Sequence, residues 1–422
     1  MSIDYQELRT RLHAQVLEKI DLESLNRLRE EAARDRVREA IRELLQRERT
    51  PLALTEREQM TREIMDELFG LGPLERLLSD ATISDILVNG PNRVYVERKG
   101  RLQRTETRFN DSHHLMRIIN RIVSRVGRRI DESSPMVDAR LPDGSRVNVV
   151  IPPLALDGPS VSIRRFGGHR LSTESLIKNN TANRQMLHLL EACVRGKLNI
   201  MISGGTGAGK TTLLNVLSSF IPEYERIVTI EDAAELHLEQ EHVVRLETRP
   251  PNVEGKGAIR QRQLVINSLR MRPDRIIIGE VRGEEAVDML QAMNTGHEGS
   301  LTTIHANTPA DAISRLETMV AMADLNLPDK AIREQIASAI NLIVQVSRMP
   351  DGTRRLISIT EVTGMDGLAV SWQNLFVYER AGFDANNMVR GKFCFTGVRP
   401  RFAEKLAANG IYLSPDIFAE SA

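Results

Sequence analysis

Lys210 and Thr211 are the residues with the most chemistry in prospect, because of what precedes them. Gly204-Gly205-Thr206-Gly207-Ala208-Gly209 runs straight into Lys210-Thr211-Thr212, and this spacing is the P-loop pattern. Glycines let such a backbone wrap a phosphate, so that several N–H groups and a helix N-terminus point at it. In that arrangement Lys210 reaches the β and γ phosphates of a nucleoside triphosphate, while the Thr211 hydroxyl holds Mg²⁺. The surroundings agree: residues 198–202 are a buried-strand run, and Leu213, Leu214, Leu217 and Phe220 recur at helical spacing. ATP and Mg²⁺ are the expected ligands.

Open α/β sheets bind ligands just past the carboxyl ends of their strands, so the polar residues that follow apolar runs come next. After 227–230 stands Glu231-Asp232-Ala233-Ala234-Glu235. A carboxylate there can aim a water at the γ phosphate, with Glu231 the stronger candidate and Glu235 the second; the same acids also suit a helix start. After 276–278 stands Gly279-Glu280-Val281-Arg282, where Glu280 can serve Mg²⁺ directly or through water. After Thr302-Thr303-Ile304 stands His305, with His297 ahead of that strand. No third Cys or His follows at ligand spacing, so His305 reads as a hydrogen-bonding sensor of the γ phosphate rather than a zinc ligand. His297 leans towards a core histidine.

A transferring phosphoryl group needs more positive charge than Lys210 and Mg²⁺ supply, and an arginine reaching in provides it. The candidates are Arg140, Arg146, Arg164 and Arg165 upstream and Arg249, Arg270, Arg272 and Arg282 downstream.

At 422 residues the chain exceeds one ordinary core, and two or three domains must position these groups. Over 1–70, Leu8, Leu12, Val16 and Ile20, then Val37, Ile41 and Leu45, then Met60, Ile64 and Leu68 predict a three-helix bundle. Its third helix opens on a Thr55–Glu58 capping box and ends at Gly70 and Gly72. Over 72–166, strands at 86–88, 94–96 and 102–109, a helix at 112–126 and a hairpin about Leu141-Pro142-Asp143-Gly144-Ser145 predict an α+β domain. Gly167-Gly168 opens a hinge linker over 167–178, and 179–422 forms the larger domain. There, strands at 227–230, 276–278 and 300–304 alternate with helices, which predicts a parallel sheet covered on both faces. A late hairpin joins 342–346 to 356–359 through Pro350-Asp351-Gly352, and the tail from Gly364 shows no clear pattern.

Lys plus Arg and Asp plus Glu both number 57, so the net charge is zero, which argues against a general nucleic-acid binder. Cys193 and Cys394 stand alone and indicate neither a disulfide framework nor a metal site. No charged-then-apolar leader follows Met1, and no apolar run approaches the roughly 18 residues of a spanning helix. The expectation is a cytoplasmic protein that is peripheral at the inner membrane and meets it through partners.

Residues 204–212, Thr229-Ile230-Glu231-Asp232-Ala233-Ala234-Glu235-Leu236, Ile278-Gly279-Glu280-Val281-Arg282 and 299–307 resemble, in order, the Walker A, Asp box, Walker B and His box of the type II/IV secretion ATPases. Asp138-Ala139-Arg140-Leu141-Pro142-Asp143-Gly144-Ser145-Arg146-Val147-Asn148, Ser162-Ile163-Arg164-Arg165-Phe166 and Leu269-Arg270-Met271-Arg272-Pro273-Asp274 narrow the resemblance to the CpaF/TadA branch, the motors of tight-adherence (Flp) pili. The likeness runs over about residues 70 to 400. It implies an α/β fold with a RecA-like P-loop motor domain, a smaller PAS-like N-terminal domain and the helical bundle, assembled as a homo-hexamer. It also implies that Glu231 activates water, that Glu280 serves Mg²⁺, that Arg146 and Arg164 meet the phosphates on domain closure, and that inner-membrane pilus platform proteins are the partners. Two alternatives stay open. One is a conjugation-type translocase of nucleic acid or effectors, prompted by Arg121, Arg125, Arg128 and Arg129 but short of aromatics for base stacking. The other is a small-molecule kinase, for which no acceptor pocket is evident.

Overall fold

The computed structural model describes residues 3–19, 30–48, 50, 52–98, 100–166, 171–251, 255–323 and 325–418. The chain divides into two compact units, residues 1–168 and 169–422. Ile20 and the Gly167-Gly168 hinge lie outside the described residues.

The first unit opens with helices Ile3–Lys19, Glu30–Arg47 and Leu54–Phe69. Leu8, Leu12, Val16, Val37, Ile41, Leu45, Met60 and Ile64 form their shared core, as the four-residue spacing predicts. The third helix begins earlier than expected. Ala53 is its N-cap, and the Glu56 carboxylate accepts the Ala53 N–H at 2.8 Å, so the Thr55–Glu58 pair falls inside the first turn. Its far end is held by arginines from helix Ser112–Arg125: Arg121 donates to the carbonyls of Glu67 and Gly70, and Arg125 to that of Phe69. Those carbonyls have no partner within their own helix, and cations suit a helix C-terminus.

The same unit holds an antiparallel sheet of β1 (Ile83–Asn89), β2 (Val94–Arg98), β3 (Arg101–Arg104), β4 (Met136–Arg140), β5 (Arg146–Val150) and β6 (Ser160–Arg164), in the order β3-β2-β1-β6-β5-β4 among the described residues. The strand expected at 102–109 stops at Arg104. Beyond it the Phe109 side chain turns into the core under helix Ser112–Arg125, which ends the pairing.

The second unit is built on β7 (Ile200–Gly204), β8 (Ile227–Glu231), β9 (Val243–Glu247), β10 (Arg275–Val281), β11 (Leu301–Ile304), β12 (Leu342–Arg348), β13 (Arg354–Asp366), β14 (Ala369–Phe383) and β15 (Val389–Phe395). Their order is β15-β14-β13-β12-β7-β11-β10-β8-β9. Pairing is parallel from β12 to β9 and antiparallel from β12 to β15, so the sheet is mixed rather than wholly parallel. The patternless tail thus supplies long strands. Successive β7 residues feed opposite cores: Ile200 and Ile202 join helices Arg184–Arg195 and Lys210–Ser218, while Met201 joins helices Glu285–Asn294, Pro309–Ala321 and Asp329–Ala339. Part of the expected linker is ordered too. Ser172 caps helix Thr173–Lys178, and Leu176 enters the first of these cores.

The sheet edge where β7 begins is fastened by buried polar side chains. Asn199 donates to the carbonyls of Met293 and Ala339 and accepts the N–H groups of Gly299 and Ser300. Arg275, 0 % exposed, pairs with Glu225 and donates to the Gly299 carbonyl. Gly299 takes a φ of 81°, and a Cβ there would sit 2.0 Å from the guanidinium and 3.0 Å from Lys197 Cα, so a side chain would displace the Arg275 bonds. Among the described residues no helix is long and apolar enough to cross a membrane.

Candidate functional site

At the opposite edge β7 runs into the P-loop and helix Lys210–Ser218, with Thr211 and Thr212 in its first turn. Gly207 and Gly209 take φ of 70° and 96°, a region that side chains disfavour. Gly204 is forced differently, because a Cβ would lie 2.6 Å from the Val346 carbonyl on β12. Gly205, Thr206 and Ala208 complete the turn, and the Ala208 N–H bonds the Gly205 carbonyl at 3.3 Å. A helix start behind a glycine turn presents the N–H groups that a polyphosphate needs. These residues therefore fit ATP.

Lys210 is buried, and its Nζ donates to the Gly205 carbonyl at 3.2 Å. It also lies 3.3 Å and 3.2 Å from Nδ1 and Nε2 of His305. The same ring also meets Glu280, with Nε2 3.0 Å from Oε1. The other Glu280 oxygen accepts Arg282 at 2.8 Å, and Arg282 also reaches Asp232 at 3.3 Å. Burial lowers the His305 pKa, partly countered by Glu280, so at neutral pH the ring is uncharged. The tautomer that suits both neighbours donates Nε2–H to Glu280 and accepts the Lys210 ammonium at Nδ1. Lys210, His305 and Glu280 thus form one contact chain along the strand ends β7, β11 and β10.

Glu231 ends β8 at the same edge and is 3 % exposed. Its Oε2 accepts the N–H groups of Glu235 at 2.7 Å and Leu236 at 2.9 Å, whereas Oε1 is buried with no partner among the described residues. Burial raises its pKa, and the two backbone N–H bonds act the other way. No helix starts here; the chain after Glu231 is irregular, and the carboxylate folds it back. Glu280 and the Thr211 hydroxyl are hard oxygen donors of the kind Mg²⁺ uses beside phosphates. With both Glu280 oxygens already bonded to His305 and Arg282, contact through water suits the arrangement.

The arginine candidates separate. Arg146 and Arg164 are exposed, directly paired register neighbours on β5 and β6, and Arg140 pairs with Arg146 from β4. Arg165 instead donates to the carbonyls of Asp80 and Ile83 and so supports the fold. Arg282 is committed to Glu280 and Asp232, and Arg249 donates to the Gly257 carbonyl. Arg270, Arg272 and His297 precede β10 or β11 and so lie at the sheet edge opposite the P-loop. Of the basic cluster Arg121, Arg125, Arg128 and Arg129, the first three donate to backbone carbonyls and Arg129 pairs with Asp131.

Two residues at the site gave no signal in the sequence. Arg354, on the β12–β13 hairpin, donates Nε to the Gly207 carbonyl of the P-loop at 3.4 Å. Gln345, inside the apolar run of β12, bonds the segment after His305. Gln345 lies inside a strand and Arg354 at the start of one, so neither stands just past a strand's carboxyl end.

Residues 67–392 match the family described as type II/IV secretion system protein. The chain belongs to that family. At that level it is a secretion-type ATPase. It is 39% identical over 312 residues to a putative conjugal transfer protein of Mycobacterium tuberculosis, covering 72% of this chain and 88% of that one. It is 34% identical over 328 residues to the type IV secretion system protein PtlH of Bordetella pertussis, covering 71% and 95%. Among solved structures it resembles the pilus retraction motor PilT with bound ADP, at a TM-score of 0.51 and 18% identity, covering 80% of this chain and 86% of that one. The last likeness concerns the fold alone.

Proposed function

We propose that this chain is a homo-hexameric motor that hydrolyses ATP and drives assembly of a tight-adherence pilus through an inner-membrane platform, working from the cytoplasmic side. The observation that carries the reading is the Lys210–His305–Glu280 contact chain at one sheet edge, beside the buried carboxylate of Glu231. In it Lys210 and the P-loop amides bind the triphosphate, Thr211 and Glu280 hold Mg²⁺, and Glu231 aims the water. Mg²⁺ bound there neutralises charge on the phosphates. His305, neutral and held between Lys210 and Glu280, reports the γ phosphate by hydrogen bonding. Arg146 stands beside Arg164 on the neighbouring strand, with Asp85 opposite Arg164 on its other flank, so the pair gathers positive charge at one place on the sheet. Closure of the first unit over the nucleotide would bring that pair to the phosphates and couple hydrolysis to movement.

The test is the Arg146→Ala/Arg164→Ala double variant. Hydrolysis should fall about a thousandfold or more while nucleotide binding persists; wild-type turnover would remove the coupling. A conjugation-type translocase is the second reading, favoured by the relatives named as conjugal transfer proteins. Strong, salt-sensitive stimulation of turnover by DNA would put it first.

A further inference from the structure

We infer that Gln345 is a positioning residue for His305, holding the loop behind the ring so that the imidazole stays between Lys210 and Glu280. This rests on the ATPase reading above. Gln345 stands on β12 opposite Ser203, the next-to-last residue of β7, and is 1 % exposed. Its Nε2 donates to the carbonyls of Ala306 at 3.2 Å and Asn307 at 3.1 Å, the two residues that follow His305. Ser203 Oγ adds a longer bond to the Ala306 carbonyl at 3.4 Å. On the near side, Thr303 Oγ1 donates to the Gly279 carbonyl at 2.8 Å, next to Glu280. The backbone is therefore pinned on both sides of His305.

The amide oxygen shows which half of the side chain matters. Gln345 Oε1 is buried with no partner among the described residues. A buried acceptor left unpaired opposes folding, so the side chain is held in place by its two N–H bonds and its packing. Both N–H bonds go to the His305 loop, and none to the P-loop itself. Loss of these donors should shift the imidazole while leaving the phosphate turn intact.

The full-length protein is compared as wild type, Gln345→Met and Gln345→Glu. ATP hydrolysis is followed from about pH 6 to about pH 9, together with binding of a fluorescent ADP and thermal unfolding. Gln345→Met should lower kcat about ten- to a hundredfold at every pH, since small misplacements of reacting groups cost that much. Its affinity for ADP should stay within about twofold of wild type. In Gln345→Glu the new carboxyl faces two carbonyls in a buried site, which raises its pKa. Protonated, it restores one donor, and ionised it repels both carbonyls. The ratio of variant to wild-type kcat should therefore fall as pH rises. A ratio that stays flat near one, or a Gln345→Met variant whose ADP affinity falls as far as its kcat, overturns the inference. A wild-type chain that hydrolyses no ATP overturns the motor reading and this inference with it, before any variant is made.

Discussion

Glu231 carries the sharpest test at the scale of single residues. Burial raises its folded-state pKa above the ordinary carboxylate value, so the folded protein binds that proton more tightly than the unfolded chain does. Stability then falls as pH rises from the unfolded value through the raised one, and at neutral pH the fold carries that cost. A base must be ionised to work, so hydrolysis should drop on acidification through a pKa above the ordinary carboxylate value. Glu231→Gln keeps an oxygen for the N–H groups of Glu235 and Leu236 and loses the charge. Turnover should fall about 10²- to 10⁴-fold, and the pH dependence of the melting temperature should flatten over the same range. Measured pH profiles of rate and melting that match wild type would refute the assignment. Glu231, Glu280 and His305 were legible because each is a polar residue that breaks an apolar strand run at its carboxyl end. Gln345 was not, because one amide inside Leu342-Ile343-Val344-Gln345-Val346 is indistinguishable by pattern from a tolerated polar residue.

At the scale of elements, the parallel register sets which groups meet. Ile230 pairs with Ile278, which places Glu231 beside Gly279 across β8 and β10. A Cβ on Gly279 would lie 2.9 Å from Glu231 Cγ. Gly279→Ala should therefore displace the carboxylate and cost about 1–3 kcal/mol through overpacking. Thermal melts should show a modest loss with a larger loss of turnover; a variant with normal rate would place the contact outside the chemistry. The central strands were readable, since uninterrupted runs such as Ile276-Ile277-Ile278 belong to a sheet buried on both faces. β9, β14 and β15 escaped notice because their residues are half-exposed and charged, and their pairing is decided by neighbours far away in sequence. The missed cap at Ala53 has the same cause on a smaller scale. Alanine offers no side chain to recognise, and Glu56 does the capping.

For the whole molecule, each unit has cores of its own: the bundle and antiparallel-sheet cores lie in the first, and both faces of the mixed sheet in the second. Calorimetry should resolve two transitions, and a non-hydrolysable ATP analogue should raise only the one that belongs to residues 169–422. Arg275→Leu should lower that same transition, because it leaves the buried Glu225 carboxylate with only the longer contact to Lys197 at 3.7 Å, at a cost of up to about 3–5 kcal/mol. A single transition that moves as one with nucleotide would contradict this division. The sheet has a further mechanical property. β13 starts beside Arg348 on the P-loop side and continues to Asp366, beyond the last residue that pairs with β12. At about 3.3 Å per residue such a strand spans about 40 Å, so pivoting it by about 5° near the nucleotide swings its far tip by roughly 3 Å. Displacements too small to notice beside the P-loop thus emerge, magnified, at the far end of the sheet.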